Sequence, residues 1–538
     1  GMRTHENTLC VVKDNALWSL NKGIWKKHNS KFKLRGLCKT DNHLFTLINQ
    51  DGIAELQNDF TMPIYISYGY INDIVEDDGS FWTGTRDNGV VHHNEYNTEY
   101  HPEGPLNNNS YKLKIFGNRL YMLPGGRWAS QYNRPAEIMI LENNQWMNIK
   151  NGVLTKKAAH ALYDAMNVAQ DPIDPSHYFI TTYGTGMLEM KDTNVVKLHL
   201  ASNSKLHSAV STNPDFYTRT DGIMFDEQNN LWIINAGEID GNIHVISTNG
   251  KWISFNLKYN DEPIRLHTPG DLIMDKRNTQ WKWISIARAG TGLILLQDNG
   301  TPDNPNDDKV TYRNTWIDQN SRNIAPENIY SIAQDHDNTL WVGTNSGLFT
   351  IPANIDYTSS NQCERIVIPR NDGSGLGDYL LDGEQINCIA IDGANRKWIG
   401  TASSGVFLIQ ITTNESGGKD IETVAHFTSE NSLMPSDNVL SIAINEQNGE
   451  VFIGTAAGLV SNMSDAVEPE KDFNKFKSIV EHPSKFISDK MKQALKLYKD
   501  NLKYIENSFK YDINNGIVEG TNNLIKCIKR IAFGYRKY

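Results

Sequence analysis

Short apolar runs alternate with polar turns along most of the chain. The stretch NIYSIAQDHDNTLWVGTNSGLFTI, which begins at Asn328, holds an apolar run, a polar turn, an aromatic residue before Gly-Thr, and a Gly followed by aliphatic residues. Apolar runs bounded by Asp, Asn and Gly predict β-strands joined by tight turns. No helical pattern separates the strands, so the sequence predicts antiparallel meanders and excludes alternating strand and helix units.

This pattern recurs at nearly regular intervals. Its aromatic positions are separated by 51, 58, 57 and 54 residues. They are Trp232, Trp283, Trp341, Trp398 and Phe452. About fifty residues per all-β unit is the length of a four-stranded propeller blade. With weaker copies that begin at Tyr111 and Ala161, the sequence predicts a seven-bladed β-propeller over 111–467.

Three shorter copies precede this ring and begin at Leu9, Leu37 and Tyr70. Three blades cannot close a ring by themselves, so we predict that residues 1–110 form a partial first propeller. The alternative is one irregular ten-bladed ring. The predicted fold class is therefore all-β, with a partial propeller of about three blades before the seven-bladed β-propeller.

The composition changes near residue 468. Residues 1–467 hold 37 basic and 54 acidic residues and all 12 tryptophans, whereas 468–538 hold 15 basic and 9 acidic residues. Apolar residues spaced by four and three between Met491 and Phe509 predict an amphipathic helix over about 488–510. We therefore predict a short α-helical C-terminal tail as a third region, 468–538.

Several function classes are disfavoured by the sequence. The five scattered cysteines predict neither a disulfide framework nor a metal pair. No run of 18 apolar residues predicts a membrane span, and no basic-then-apolar start predicts a signal peptide in this chain. A nucleophile elbow and a phosphate loop before a helix are also missing. We therefore predict no enzyme; a propeller hydrolase or lyase, the alternative, lacks a convergent set of acids and bases.

The stretch GGRWASQYNRPAEIMILENNQW, from Gly125 to Trp146, is not part of the repeat. It combines guanidinium groups with aromatic faces, which recur at interface hot spots and on sugar-binding surfaces. The predicted ligand-binding residues are Arg127, Trp128, Tyr132 and Arg134. The alternative is that Trp128 packs within a blade and that the arginines pair with nearby carboxylates.

The loop DNGTPDNPNDDKV, from Asp298 to Val310, concentrates side-chain oxygens. Hard cations such as calcium take six to eight oxygen ligands, so this loop is a candidate calcium site, although EF-hand spacing is missing. The predicted ligands are Asp298, Asp303, Asp307 and Asp308. A plain acidic loop is the alternative. We predict no other cofactor.

The repeat resembles the two-component-regulator propeller repeats of Bacteroidetes hybrid histidine kinases. Gly125–Trp146 and the run from Trp398 to Ala466 are similar to PorZ-type proteins of the type IX secretion system. Such proteins have two seven-bladed propellers, a β-sandwich and a C-terminal sorting signal. Most of the first propeller, and the sandwich with its sorting signal, have no counterpart among the segments that match.

The resemblance implies a non-catalytic adaptor in the periplasm or at the cell surface, peripheral to the outer membrane. Its partner would be the sortase-like protease of that system, anionic lipopolysaccharide, or both. The alternative is an extracytoplasmic sensor propeller that recognises an oligosaccharide and signals through a kinase.

The final stretch, NGIVEGTNNLIKCIKRIAFGYRKY from Asn515, resembles the C-terminal end of DDE-type insertion-sequence transposases. In that family the position of Glu519 is the last catalytic carboxylate. Two-metal chemistry needs several carboxylates around the ions, so we interpret Glu519 as an orphan carboxylate without catalytic partners. The basic residues around it predict at most nonspecific phosphate contacts, with a solvated basic face as the alternative.

Overall fold

The computed structural model describes residues 2–49, 52–86, 89–100, 103–128, 131–237, 242–370, 377–413, 419–463, 480–481 and 489–502, together with Lys477. Nearly all regular structure in these ranges is β-strand, which confirms the predicted all-β propeller class. The chain divides into two compact units, Gly1–Asn107 and Asn108–Tyr538. None of the helices within the described ranges is long and apolar enough to span a membrane.

The first unit consists of three four-stranded antiparallel sheets, β1–β4, β5–β8 and β9–β12. The strands are β1 (Met2–His5), β2 (Thr8–Lys13), β3 (Ala16–Asn21), β4 (Ile24–His28), β5 (Leu34–Lys39), β6 (Leu44–Ile48), β7 (Ile53–Glu55), β8 (Ile64–Ile66), β9 (Ile71–Asp77), β10 (Ser80–Thr85), β11 (Val90–His93) and β12 (Thr98–Tyr100). Buried apolar residues such as Leu17 and Leu37 join the first two sheets, and Phe45 and Ile74 join the next two. The partial-propeller interpretation of 1–110 stays a prediction.

The first half of the second unit contains a short helix and twelve strands. They are β13 (Lys112–Phe116), β14 (Arg119–Leu123), β15 (Ile138–Glu142), β16 (Gln145–Ile149), α1 (Asn151–Ala158), β17 (Ala165–Gln170), β18 (His177–Gly184), β19 (Met187–Lys191), β20 (Asn194–His199), β21 (Thr218–Phe225), β22 (Leu231–Asn235), β23 (Ile243–Ile246) and β24 (Trp252–Phe255). Strand β18 pairs with both β19 and β21, so β17–β24 form one eight-stranded sheet.

The second half continues the same antiparallel pattern. Its strands are β25 (Lys258–Tyr259), β26 (Glu262–Pro263), β27 (Pro269–Met274), β28 (Trp281–Ile286), β29 (Gly292–Gln297), β30 (Lys309–Arg313), β31 (Trp316–Ile317), β32 (Asn323–Ile324), β33 (Ile329–Gln334), β34 (Leu340–Thr344), β35 (Gly347–Ile351), β36 (Val367–Pro369), β37 (Gly377–Tyr379), β38 (Ile386–Ile391), β39 (Lys397–Thr401), β40 (Val406–Thr413), β41 (Lys419–Phe427), β42 (Val439–Ile444), β43 (Glu450–Thr455) and β44 (Gly458–Met463). The sheets are β27–β30, β33–β35, β38–β41 and β42–β44, with two-stranded ribbons between some of them.

Seven strands of the second unit lie side by side in a closed order. Strands β13, β17, β21, β27, β33, β38 and β42 contact one another in this sequence, and β42 also contacts β13. The main-chain N–H of Leu113 donates to Ser441 Oγ at 3.0 Å, and Ser110 Oγ donates to the carbonyl of Thr455 at 2.8 Å. Because the last sheet thus bonds to the first, we interpret the seven strands as the inner strands of the predicted ring of blades.

A buried hydrogen bond between Asp and Trp recurs in four successive sheets. The indole Nε1 donates to a carboxylate Oδ2 at 2.8, 2.8, 2.9 and 3.1 Å in the pairs Trp232–Asp226, Trp283–Asp275, Trp341–Asp335 and Trp398–Asp392. The other oxygen of Asp335 accepts the main-chain N–H groups of Asp337 and Thr339. One aspartate therefore closes the turn and orients the tryptophan, which is more than turn chemistry alone predicts.

The Gly-Thr element of the repeat also has a local physical cause. The hydroxyls of Thr344, Thr401 and Thr455 donate to the carbonyls of Gly347, Gly405 and Gly458 at 2.7, 2.9 and 2.8 Å. These glycines have φ of +115°, +74° and +141°, a conformation that other residues rarely adopt. Thr and Gly together therefore fix the second turn of these three repeats.

The described part of the C-terminal tail contains one clear helix, α2 (Asp489–Asp500). Leu495 and Tyr498 are buried, as the predicted apolar spacing requires. Of the predicted span of about 488–510, residues 489–502 are described, and the rest lies outside the described residues. Positions beyond Leu502, including Glu519, lie outside the described residues.

Candidate functional site

A cavity of about 400 Å³ lies within the ring of inner strands. Side chains from β13, β27, β33, β38 and β42 line it, and Arg127, Trp128 and Gln131 of the segment 124–136 contribute to its wall. Gly125 packs tightly against its neighbours, because a Cβ on it would lie 2.4 Å from the main chain of Asp164. The non-repeating segment therefore borders the central cavity.

Two ion pairs hold the charged groups around this cavity. Lys112 Nζ lies 2.9 Å from Asp271 Oδ1, and the Arg127 guanidinium lies 2.6 Å from Asp221 Oδ2. Burial raises the pKa of Asp221 to about 6, although Arg127 and Lys112 oppose this shift. Burial acts in the same direction on Asp271, but Lys112 and Arg127 outweigh it and hold the pKa of Asp271 below its usual value.

Lys114 differs from these pairs. Its Nζ donates to the carbonyls of Val168 and Ile223 at 3.0 and 3.3 Å, and no ion pair in the described part of the chain involves it. Burial and the nearby charge of Lys112 lower the pKa of Lys114 to about 7. With two cations already balanced by two carboxylates, a protonated Lys114 makes this part of an acidic chain locally positive.

Trp128 and Tyr132, two of the predicted ligand-binding residues, contact the same arginine, Arg288. The ring of Trp128 lies 4.6 Å from that of Tyr330, and the Arg288 guanidinium lies 5.4 Å from the Trp128 ring. Arg288 also donates to the hydroxyl of Tyr132 and, at 3.2 Å, to the carbonyl of Arg127. These four side chains, Trp128, Tyr132, Arg288 and Tyr330, are partly exposed and form what we call the mouth cluster.

The two predicted arginines have structural partners instead. Arg127 is 4% exposed; besides Asp221 it donates to the carbonyl of Pro269 at 2.7 Å. Arg134 donates to the carbonyl of Pro124 at 2.8 Å, and its main-chain N–H donates to Asp164 Oδ1. Burial lowers the pKa of Arg134. The alternative expectation is that the arginines pair with nearby carboxylates; Arg127 does so with Asp221, and a ligand-binding role for Arg134 stays a prediction.

The carboxylates of the acidic loop differ in their partners and exposure. Asp298 pairs with Lys282, Asp307 accepts the hydroxyl of Thr301 at 2.9 Å, and Asp303 is exposed. Burial, with Asp298 and Asp307 nearby, raises the pKa of Asp308 to about 7. In the ranges covered by the structure, no group of three or more His, Cys, Asp or Glu side chains could hold a metal ion. The structure therefore gives the predicted calcium site no support.

Sequence reasoning missed Lys112, Lys114, Arg288 and Tyr330. The lysines alternate with apolar residues in KLKIF, so a signal was present: they share one face of a predicted strand. Arg288 lies two residues after the end of β28, and Tyr330 is the second residue of β33. Neither carries a local signal, because its role depends on contacts with Trp128, which is far away in the sequence.

Two family models match parts of the chain. A model described as two component regulator propeller matches residues 323–346, and one described as transposase matches residues 459–538. The second match begins inside β44, whose residues pair with β43. A search of curated proteins found no match.

Among solved structures, the chain is similar to PorZ, an essential bacterial surface component of the type-IX secretion system of Porphyromonas gingivalis. The TM-score is 0.70 at 23% identity over 88% of this chain and 64% of PorZ, so the chain spans less than two thirds of that structure. The extracellular domain of a hybrid two-component system from B. thetaiotaomicron matches 86% of this chain and 74% of its own, at 12% identity and a TM-score of 0.30.

These findings confirm the resemblances expected from the sequence. The chain has a propeller fold similar to that of PorZ, contains a two-component-regulator propeller repeat, and carries a C-terminal segment similar to a transposase.

Proposed function

We propose that this chain is a non-catalytic adaptor, similar to PorZ, that acts at the cell surface or in the periplasm in type IX secretion. Its ligand is anionic lipopolysaccharide, and its protein partner is the sortase-like protease of that system. The mouth cluster carries this proposal, because it is a partly exposed aromatic and cationic surface on a fold similar to that of a surface secretion component.

The chemistry of the mouth cluster fits an anionic glycan. Flat aromatic faces such as that of Trp128 pack against sugar rings, and the positive charge of the Arg288 guanidinium attracts a phosphate or carboxylate. Attraction for an anion must be local here, because the chain as a whole has a net charge of −11. Lys114, in the cavity beside this surface, adds positive charge below about pH 7, where it is protonated.

A binding role also agrees with the pairing of the cavity carboxylates. Asp221 and Asp271 are each held by a cation, an arrangement that stabilises structure and leaves neither carboxylate unpaired beside the cavity. For the C-terminal segment we propose no catalysis, because Glu519 is a single carboxylate and two-metal phosphoryl chemistry requires several.

A second candidate function is an extracytoplasmic sensor that recognises a neutral oligosaccharide. The observation that favours it is the two-component-regulator propeller match at residues 323–346.

Affinity capture from an outer-membrane extract tests the proposal. The immobilised full chain should retain anionic lipopolysaccharide and the protease, and Trp128→Ala and Arg288→Gln should each reduce retention about tenfold, as expected for the loss of one charge-assisted contact. Arg322→Gln is the matched control, because this exposed arginine lies over Tyr379 in a different part of the ring. Capture of a neutral oligosaccharide alone would support the sensor instead, and equal retention by all variants would contradict the proposed site.

A further inference from the structure

A second cleft, of about 410 Å³, shares Tyr132 with the mouth cluster. Aromatic rings dominate its lining, and three of them reach the surface: Tyr163, Phe216 and Tyr217 are 39%, 40% and 40% exposed. Exposed rings on one cleft are unusual, since large aromatic side chains are normally covered. We call this site the tyrosine cleft.

Two rings of the tyrosine cleft, those of Tyr132 and Tyr183, are held in place by contacts within the protein. Tyr132 and Tyr183 stack in parallel, with their ring centres 5.8 Å apart and an interplanar angle of 4°. Tyr183 is buried and Tyr132 is fixed by the bond from Arg288. A ligand would therefore meet a preformed surface and would not have to order these side chains.

Arg219 supplies a cation to the same cleft. Its guanidinium lies 4.9 Å from the ring centre of Tyr183 and 5.8 Å from that of Tyr217. The Nε of Arg219 is buried and has no hydrogen-bond partner, and no ion pair between described residues involves this side chain. Among the described residues, no carboxylate therefore neutralises the charge of Arg219 beside the cleft.

The carboxylate that lines the cleft does not neutralise Arg219. Asp164 accepts the main-chain N–H groups of Asn133 and Arg134 at 3.1 and 2.8 Å, one on each oxygen. It thereby fixes the main chain at Asn133 and Arg134. The remaining polar lining, which includes Thr185 and Asn213, offers hydroxyl and amide groups to a ligand with several hydroxyls.

We propose that the tyrosine cleft binds a saccharide unit that carries one acidic group. The sugar ring packs against Tyr217 and Tyr163, and the acidic group accepts hydrogen bonds from the guanidinium of Arg219. A carboxylate, as in a uronic acid, and a phosphate ester both have this chemistry. Only the identification of the saccharide as part of a surface lipopolysaccharide rests on the proposed function above.

Isothermal titration of the full chain with glucuronate, glucose 6-phosphate and glucose tests the inference. Both acidic sugars should bind, glucose should bind at least about tenfold more weakly, and the tighter of the two acids identifies the acidic group. Arg219→Gln should weaken the acidic sugars about tenfold and Tyr217→Ala should weaken all three. Arg219→Lys, which keeps the charge without the forked donors, should lie between Arg219→Gln and the unaltered chain.

Arg322→Gln, the arginine over Tyr379, should leave all three affinities unchanged. An unchanged urea midpoint for each variant shows that folding is intact. The inference is overturned if neither acidic sugar binds, or if Arg219→Gln binds them as well as the unaltered chain does. Loss of lipopolysaccharide capture with intact acidic-sugar binding would remove the proposed function and leave the cleft; the reverse result would remove the cleft alone.

Discussion

The blade repeats and the segment 124–136 use tryptophan in opposite ways. Trp341 is 1% exposed, and its indole donates to Asp335 in an arrangement that recurs in three other sheets. Trp128 lies outside the repeat, is partly exposed, and contacts Tyr330 and Arg288 through its ring. Burial and a repeated partner therefore identify a framework residue, and exposure beside a cation identifies a candidate for ligand contact.

Arginine shows the same contrast. Arg127 is buried and paired with Asp221, whereas Arg288 lies partly exposed over Trp128 and donates to Tyr132. The two arginines are in contact, since Arg288 donates to the carbonyl of Arg127, yet they differ in burial and in partners. Each of the following predictions tests one side of this contrast, from the largest expected effect to the smallest.

Arg127→Met should cause the largest loss of stability. It leaves Asp221 charged and buried without its partner, which typically costs about 3–5 kcal/mol. Urea unfolding followed by tryptophan fluorescence measures the change. The double variant Arg127→Met/Asp221→Leu should recover most of the loss, since no charge is then stranded, and Arg322→Met should have little effect. A small effect of Arg127→Met would show that Arg127 does not belong to the framework.

Trp341→Phe should destabilise the protein by about 2 kcal/mol, because it removes the indole donor to Asp335 and leaves space in a packed sheet. Trp128→Phe should change the free energy of unfolding by less than about 0.5 kcal/mol, the usual range for surface positions. The same urea titrations compare the two variants. Equal losses would break the distinction between repeat tryptophans and Trp128.

Arg288→Gln should reduce lipopolysaccharide affinity about tenfold and leave the urea midpoint nearly unchanged. The affinity can be measured with vesicles that contain the purified lipopolysaccharide, in a sedimentation assay. Its salt dependence should also fall, because a charged contact is lost. A parallel loss of stability and affinity would place Arg288 with Arg127 in the framework.

Lys114 should give the smallest effect, a pH dependence. Its pKa is lowered from 10.5 to about 7, so between these values the unfolded chain binds a proton that the folded chain does not. Stability should therefore rise with pH in this window relative to Lys114→Met, by less than about 1.4 kcal/mol per pH unit. Unfolding at pH 7.5 and 8.5 measures it, with the exposed Lys251→Met as control. Identical profiles would mean that Lys114 is not desolvated.

Much of the fold was predictable because its causes are local. The apolar runs form the strands, the aspartates close the turns, and Thr344 with Gly347 fixes the second turn of its repeat. Part of the site was predictable as well, since Trp128 and Tyr132 contact the same arginine, Arg288. Spacing along the chain could not show that Arg127 is buried against Asp221 or that Arg288 lies over Trp128, because both contacts join distant segments.

The sequence by itself determined the repeating meander, its turns and the change in composition near residue 468. These features depend on hydrophobic period, side-chain bonds to the nearest main chain, and the freedom of glycine, all of which act over a few residues. Only the tertiary structure decided which charges are paired and which aromatic rings are exposed. Closure of the ring brings Arg288 to Trp128 and Lys112 to Asp271, partners about 160 residues apart, and burial at those contacts separates framework from binding surface.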